Sequence, residues 1–370
     1  MAGRIRVTGP DDAGNKVPQP AAWVGTTLPL AAFTASLPPR HPLGAFPSPL
    51  VPAPVLAART GARTFLVKRD DLSGPRFGGN KLRALEWLLP TLGEAVVTLG
   101  GYGSTWCAAL AATAREVGTV ACPALAPQPW TETVAGILAT TSAHGEVTLA
   151  GRELAMPLAL ARAWLAARRH GRVSWLPAGG ATPLAVLGST NAALEFMTQV
   201  EEQGLPRPDA VLVPVGSCGT AAGILLGLAL GGWTTTVIGV RVAEPLFANV
   251  PRVRHLARGA ERILRRHGLR TRPALPPFRL LTDQLGGGYG HPTSMGRSAQ
   301  ATLAEAGLRV DLTYGAKCCA AAQSIAPSFP HLCFWHTFDA RLMSVPAADH
   351  PIVARAQRTA EALWPHPKST

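Results

Sequence analysis

This 370-residue sequence has no repeated unit, no Cys-x-x-Cys pair and no charged residue between positions 210 and 240. The missing repeat excludes a solenoid or array. Six cysteines occur (Cys107, Cys122, Cys218, Cys318, Cys319 and Cys333), none spaced as Cys-x-x-Cys or grouped with histidines as a zinc site. No metal is therefore expected, and a reduced, cytoplasmic setting fits best. No apolar run precedes Pro10, which argues against a secretory signal. Charge is sparse at 15% of residues against 47% hydrophobic, enough apolar matter for one large or two moderate domains.

Acids are the scarcer sign, and the formal net charge is +13. Residues 252–272 supply +7 of it, with eight arginines against Glu261. Val253, Leu256, Ala257, Ala260, Ile263 and Leu264 keep helical spacing there. A basic amphipathic helix can lie on nucleic acid or an anionic membrane, but no aromatics are interleaved for stacking, and a solvated face is the plainer reading. The uncharged run is long enough to span a bilayer. Its punctuation argues otherwise: 210–215 reads as a buried strand, 216–220 as a turn, 221–230 as a helix and 234–242 as a strand, a βαβ unit. Further strands are expected at 95–99, 119–125, 146–149 and 173–176, and helices at 107–117, 132–142, 154–170, 182–202, 293–306 and 317–325. This alternation predicts an α/β fold with two parallel sheets. The first forty residues, with Pro10, Pro18, Pro20, Pro38 and Pro39, read as a loose arm.

Residues 67–89 are the stretch around which the rest is arranged. After Ser73-Gly74-Pro75, Gly78-Gly79 frees the backbone and Asn80 is a good N-cap, so Lys81 should open a helix buried through Leu82, Leu85 and Leu89. Desolvation and the positive helix end both lower an ammonium pKa, as a Schiff-base lysine requires. On spacing alone, an ordinary surface lysine is the commoner reading. In a second constellation, Gly216-Ser217-Cys218-Gly219-Thr220 joins a strand to a helix, so that backbone N–H groups can converge on an anion, although the same glycines would also serve tight packing. A third, Gly100-Gly101-Tyr102-Gly103-Ser104-Thr105-Trp106, sets Ser104 at a helix start, fit for a carboxylate or simply for capping. Tyr289 and Tyr314, two of only three tyrosines, can pack on a ring or transfer a proton.

In this order, from about Pro47 to Thr337, the motifs resemble the pyridoxal-phosphate enzymes grouped as aminocyclopropane-carboxylate deaminases and D-cysteine desulfhydrases. The resemblance covers Phe77-Gly78-Gly79-Asn80-Lys81, the 216–220 turn, Trp175-Leu176-Pro177-Ala178-Gly179-Gly180, Gly288-Tyr289-Gly290-His291-Pro292, the segment around Tyr314 and His336-Thr337. It implies a two-domain pyridoxal-phosphate fold type II, the tryptophan-synthase-beta-like α/β fold with parallel sheets flanked by helices. The large domain would take 41–83 and 177–345, the small domain 84–176, with a helix and tail at 346–370. Lys81 would carry pyridoxal 5'-phosphate as a Schiff base and act as the base, with Asn80, Thr105, Tyr314 and Thr337 as further cofactor contacts. Gly216, Ser217, Cys218, Gly219 and Thr220 would cradle the phosphate. Ser104 and Thr105 would hold the substrate carboxylate, and Tyr289 and Tyr314 would pack on or protonate the reacting carbons. The implied activity is that of a lyase or deaminase on a small amino acid, releasing ammonia and a 2-oxo acid by α-proton abstraction and β-elimination or ring opening. A cytoplasmic homodimer with no nucleic-acid or membrane partner is the matching expectation.

Several positions depart from the family pattern. Ala84 replaces a basic phosphate contact, for which Arg83 or Arg76 would substitute; Gly103, Thr105 and Trp106 replace amide and basic side chains of the substrate turn; Gly315 leaves the pyridine nitrogen to a partner such as Thr337. Lys317 reads as a helix-start or surface lysine and His336 as a packed core histidine. A cofactor-binding protein with little turnover, or a basic nucleic-acid or membrane binder, are the competing classes.

Overall fold

A computed structural model describes residues 37–74, 79–339 and 351–365. Most of the expected arm, Arg76 and part of the C-terminal tail lie outside them. The first sheet takes β1 (Leu50–Pro52), β2 (Thr64–Arg69), β7 (Ala210–Val215), β8 (Thr236–Arg241), β9 (Phe278–Leu281) and β10 (His331–His336), in the order β1-β2-β10-β7-β8-β9. All its pairings are parallel except β1 with β2. The second is wholly parallel, β5 (Thr148–Leu149), β4 (Val120–Ala126), β3 (Ala95–Gly101) and β6 (Val173–Trp175) in that order. Every residue of β7 is buried, the pattern of a strand covered on both faces, which is why its run carries no charge. Among the described residues no helix is long and apolar enough to cross a membrane.

The helices are α1 (Pro54–Thr60), α2 (Asn80–Leu88), α3 (Thr105–Ala114), α4 (Glu132–His144), α5 (Met156–Ala167), α6 (Pro183–Glu202), α7 (Gly219–Leu230), α8 (Val250–Arg266), α9 (Ser294–Glu305), α10 (Gly315–Ala320), α11 (Ala322–Ile325) and α12 (Pro351–Leu363). Hydroxyl caps start α4 and α6, where Thr131 accepts from the Val134 N–H and Thr182 from the Ala185 N–H. Gly188 lets α6 meet α2 closely, since a Cβ there would stand 1.9 Å from the Arg83 carbonyl oxygen. In α8, Val253, Leu256, Ala257, Ala260 and Leu264 face the core. Arg258 and Arg272 pair with the helix's own Glu261, at 2.7 and 3.6 Å, as a solvated basic face would.

A buried charge cluster pins α2 to the first sheet. Arg83 donates to Asp70 (2.8 Å), Glu195 (2.9 Å) and Ser48 Oγ (3.0 Å). Lys68 donates to the Ser48 carbonyl and Gln199 Oε1, both at 2.6 Å, and pairs with Glu195. Trp335 Nε1 donates to Asp70 at 2.8 Å. Burial pushes Asp70 and Glu195 up, but Arg83 and Lys68, with the hydrogen bonds they receive, together outweigh it and hold both carboxylates below their usual range. Arg83 therefore does not stand in for the phosphate contact absent at Ala84: its donors are spent inside the fold.

Candidate active site

The carboxyl ends of β7, β10 and β3 open onto one cavity of about 680 Å³, where the βα turns of parallel sheets characteristically gather ligands. It is lined by Asn80, Lys81, Ser104, Thr105, Gly216, Ser217, Cys218, Gly219, Thr220, Tyr289, Tyr314 and Thr337, so every site residue expected from the sequence borders the same space.

Lys81 stands in the first turn of α2, and burial draws its ammonium down to about 8. The N-cap is Gly79 rather than Asn80. Gly79 sits at φ 81°, and a Cβ would lie 2.5 Å from the Thr337 carbonyl oxygen, so only glycine serves there. Asn80 is thereby freed to donate from Nδ2 to Thr220 Oγ1 at 2.6 Å, tying the lysine's helix to the second constellation.

That constellation has the geometry of an anion cradle. Cys218, at φ 74°, precedes the 12-residue helix α7, and it alone among the described non-glycine residues has positive φ. A left-handed residue at a helix start turns successive N–H groups toward one point. Its Sγ lies 3.2 Å from the Phe247 carbonyl oxygen, away from any reactive role. The nearby cation is Arg252, with Nε 3.5 Å from the Ser217 carbonyl oxygen and the residue on the cavity wall. Sequence reasoning missed it because it begins a segment that otherwise reads as a solvated face.

Ser104 caps α3, its Oγ accepting the Cys107 N–H at 3.3 Å, while also bordering the cavity. Trp106 is mainly a wedge: its Nε1 donates to Thr98 Oγ1 at 2.9 Å, and its ring fills the space a Cβ on Gly180 would need. Tyr289 and Tyr314 share a hydrogen bond of 2.5 Å between their phenolic oxygens. Burial pushes both phenols up, so both are neutral near pH 7. Asp311 fixes the start of α10 by accepting from the N–H groups of Thr313 (2.9 Å), Tyr314 (2.8 Å) and Gly315 (3.1 Å).

Lys317 is fully buried rather than on the surface, donating to the Leu285 carbonyl at 2.7 Å. Burial lowers it to about 8, and it steadies the loop that carries Tyr289. His336 is buried and stacked on Phe334, away from the cavity. Two further wall residues gave no sequence signal: Trp364, just past α12, meets His291 edge to face at 5.9 Å, and Gln128 lies between two prolines. Elsewhere, Cys122, Glu146 and His170 bring ligand atoms within 4.8 Å of one another, a grouping the spacing did not announce. Arg169, 3.8 Å from Glu146, opposes a cation there.

An amine near neutrality, an anion cradle and aromatic walls in one cavity of a doubly parallel α/β fold define a cofactor-dependent enzyme of fold type II. A family model described as "Pyridoxal-phosphate dependent enzyme" matches residues 42–331, and the chain belongs to that family. It is 34% identical over 324 residues to the Nocardicin C-9' epimerase of Nocardia uniformis subsp. tsuyamanensis, covering 82% of this chain and 93% of the relative. It is 31% identical to the D-cysteine desulfhydrase of Salmonella typhi, covering 75% and 86%. Among solved structures, an ACC deaminase homologue superposes with a TM-score of 0.72 at 24% identity, covering 86% of this chain and 99% of that one. The cofactor of the family is pyridoxal 5'-phosphate, and the cradle, the lysine and the cavity fit it.

Proposed function

We propose that the chain removes the α-proton of a small amino acid and, by eliminating a β substituent or opening a ring, releases ammonia and a 2-oxo acid. The observation that carries this reading is the convergence on one cavity of an amine lowered to about 8, a cradle at a left-handed Cys218 and a pair of neutral, hydrogen-bonded phenols. Pyridoxal phosphate, when bound, supplies the electron sink that makes the α-proton acidic. This chain's residues do the rest. Lys81 Nζ takes and holds the proton, since a base effective near pH 7 needs a pKa close to it. Residues 216–220 and Arg252 would anchor the cofactor's phosphate, and Thr337 and Asn80 would be further contacts for it. The N-terminus of α3, with Ser104 and Thr105, receives the carboxylate. The Tyr289–Tyr314 pair gives or accepts a proton at the reacting carbon, and Trp364 with His291 limits water on the outer wall. A cytoplasmic homodimer without nucleic-acid or membrane partners belongs to the same reading.

A second outcome is favoured by one observation, the 34% identical relative named as an epimerase. Two proton carriers, Lys81 and the phenol pair, suit removal of a proton on one face and its return on the other. The experiment is incubation of the holoenzyme in deuterium oxide with a panel of D- and L-amino acids, following ammonia, 2-oxo acid, α-deuterium and enantiomer ratio. Ammonia with 2-oxo acid supports elimination; α-deuterium with inversion and no ammonia supports epimerisation. Neither signal with any substrate would sink both.

A further inference from the structure

Gln128 lies in the loop between β4 and α4, 3% exposed and on the cavity wall. Its Oε1 accepts the Gly103 N–H at 2.9 Å, which sets the amide's orientation, oxygen toward the turn and nitrogen away. Among the described residues Nε2 has no hydrogen-bond partner. Three positions are cleared of side chains around it. A Cβ on Gly101 would stand 2.3 Å from Oε1, and a Cβ on Gly103 or Gly290 would stand 3.1 Å from Nε2. Tyr289 reaches the same spot, its Cε1 falling 2.9 Å from that Gly101 Cβ position. Nε2 keeps accessible surface on the cavity, and a donor held there by the Gly103 bond, with no protein partner among the described residues, points to an acceptor on the ligand.

The donors of the substrate turn are largely spent. The Gly103 N–H goes to Gln128, and Ser104 Oγ is engaged by Cys107. The N–H groups of Thr105 and Trp106 remain, because they precede the first helical bond, from the Ala108 N–H to the Ser104 carbonyl. We propose that Gln128 is a specificity-determining residue whose Nε2 donates to the substrate's α-carboxylate, completing a donor set with the start of α3. The assignment rests on the reading of this cavity as an amino-acid site.

The test compares holoenzyme of wild type, Gln128→Glu and Gln128→Met. Each protein is checked for its full visible cofactor band, then titrated with an amino acid and with the matching amine that lacks the carboxylate. Gln128→Glu keeps the acceptor for the Gly103 N–H but presents a second oxygen where the donor was; Gln128→Met removes both. The expected result is retained cofactor and a dissociation constant for the amino acid raised about 10- to 100-fold in Gln128→Met, the range for a hydrogen bond to a charged group, and more in Gln128→Glu. The amine should change less than about threefold. Equal weakening of both ligands, or of neither, would overturn the role of Gln128 alone. A wild type that carries the band yet binds no amino acid would overturn the amino-acid reading, and this assignment with it.

Discussion

Lys81 and Arg83 stand two positions apart on α2 and meet opposite electrostatic fates. Arg83 is surrounded by Asp70, Glu195 and Ser48, and its carboxylate partners raise its pKa despite burial. Among the described residues no carboxylate pairs with Lys81, and burial lowers it to about 8. One helical turn thus carries a cation made permanent and an amine made reactive, and the first holds the second in place. Burial without a counter-charge yields a base, whereas burial with two yields an anchor.

The largest effect should come from the reactive half. Lys81→Ala is expected to abolish the visible band of lysine-bound cofactor and to cut turnover by about 10³-fold or more, read by absorbance and ammonia release. Removing one phenol, by Tyr289→Phe or Tyr314→Phe, should keep the band and slow turnover about 10²-fold, since only a proton carrier is lost. The anchoring half is read in stability. Glu195→Gln leaves Lys68 and Arg83 with one carboxylate between them, and urea unfolding should report a loss of about 3–5 kcal/mol.

The two halves also differ in their response to pH. Folded Asp70 and Glu195 titrate below the ordinary values of 3.8 and 4.5, so their stabilisation is present above that range and is lost as pH falls through it. Acid unfolding should therefore begin below about pH 4. For Lys81 the folded pKa lies below the ordinary 10.5, so between about 8 and 10.5 the native amine is neutral while an unfolded one is protonated. Cofactor uptake by the apoprotein should rise through about pH 8 and then level. A rise continuing to 10.5 would mean that Lys81 is not desolvated. The smallest effect concerns the cradle: Cys218→Gly relieves a left-handed cysteine but forfeits its buried Sγ and the contact with the Phe247 carbonyl, so stability should change by less than about 1 kcal/mol with phosphate affinity unchanged, measured by thermal unfolding and cofactor titration.

The parts legible in the sequence were those where local pattern and tertiary role agree. The uncharged run became β7, the 216–220 turn, α7 and β8, because a strand buried on both faces must be apolar throughout. The central β2 and β10 gave no such signal: β2 carries the buried Lys68, and β10 begins and ends in histidine. Their pairing joins segments more than 260 residues apart, beyond any local period. Arg83 looked available for phosphate because Asp70 and Glu195 sit in unrelated segments and meet it only in the fold. Lys317 looked exposed because its partners, the Leu285 and Gly288 carbonyls, lie in a separate segment and carry no charge. Gln128, between two prolines, has no motif at all, and its place on the cavity wall shows only in the fold, through the glycines that make room for it.

The most direct test of the account is to reduce the holoenzyme with borohydride, digest it and locate the pyridoxyl-lysine by mass spectrometry. Two lysines near the site, Lys81 and Lys317, are drawn down to about 8, so the measurement discriminates. The account predicts a single adduct on Lys81. An adduct on Lys317, or none on a protein that shows the visible band, would contradict it.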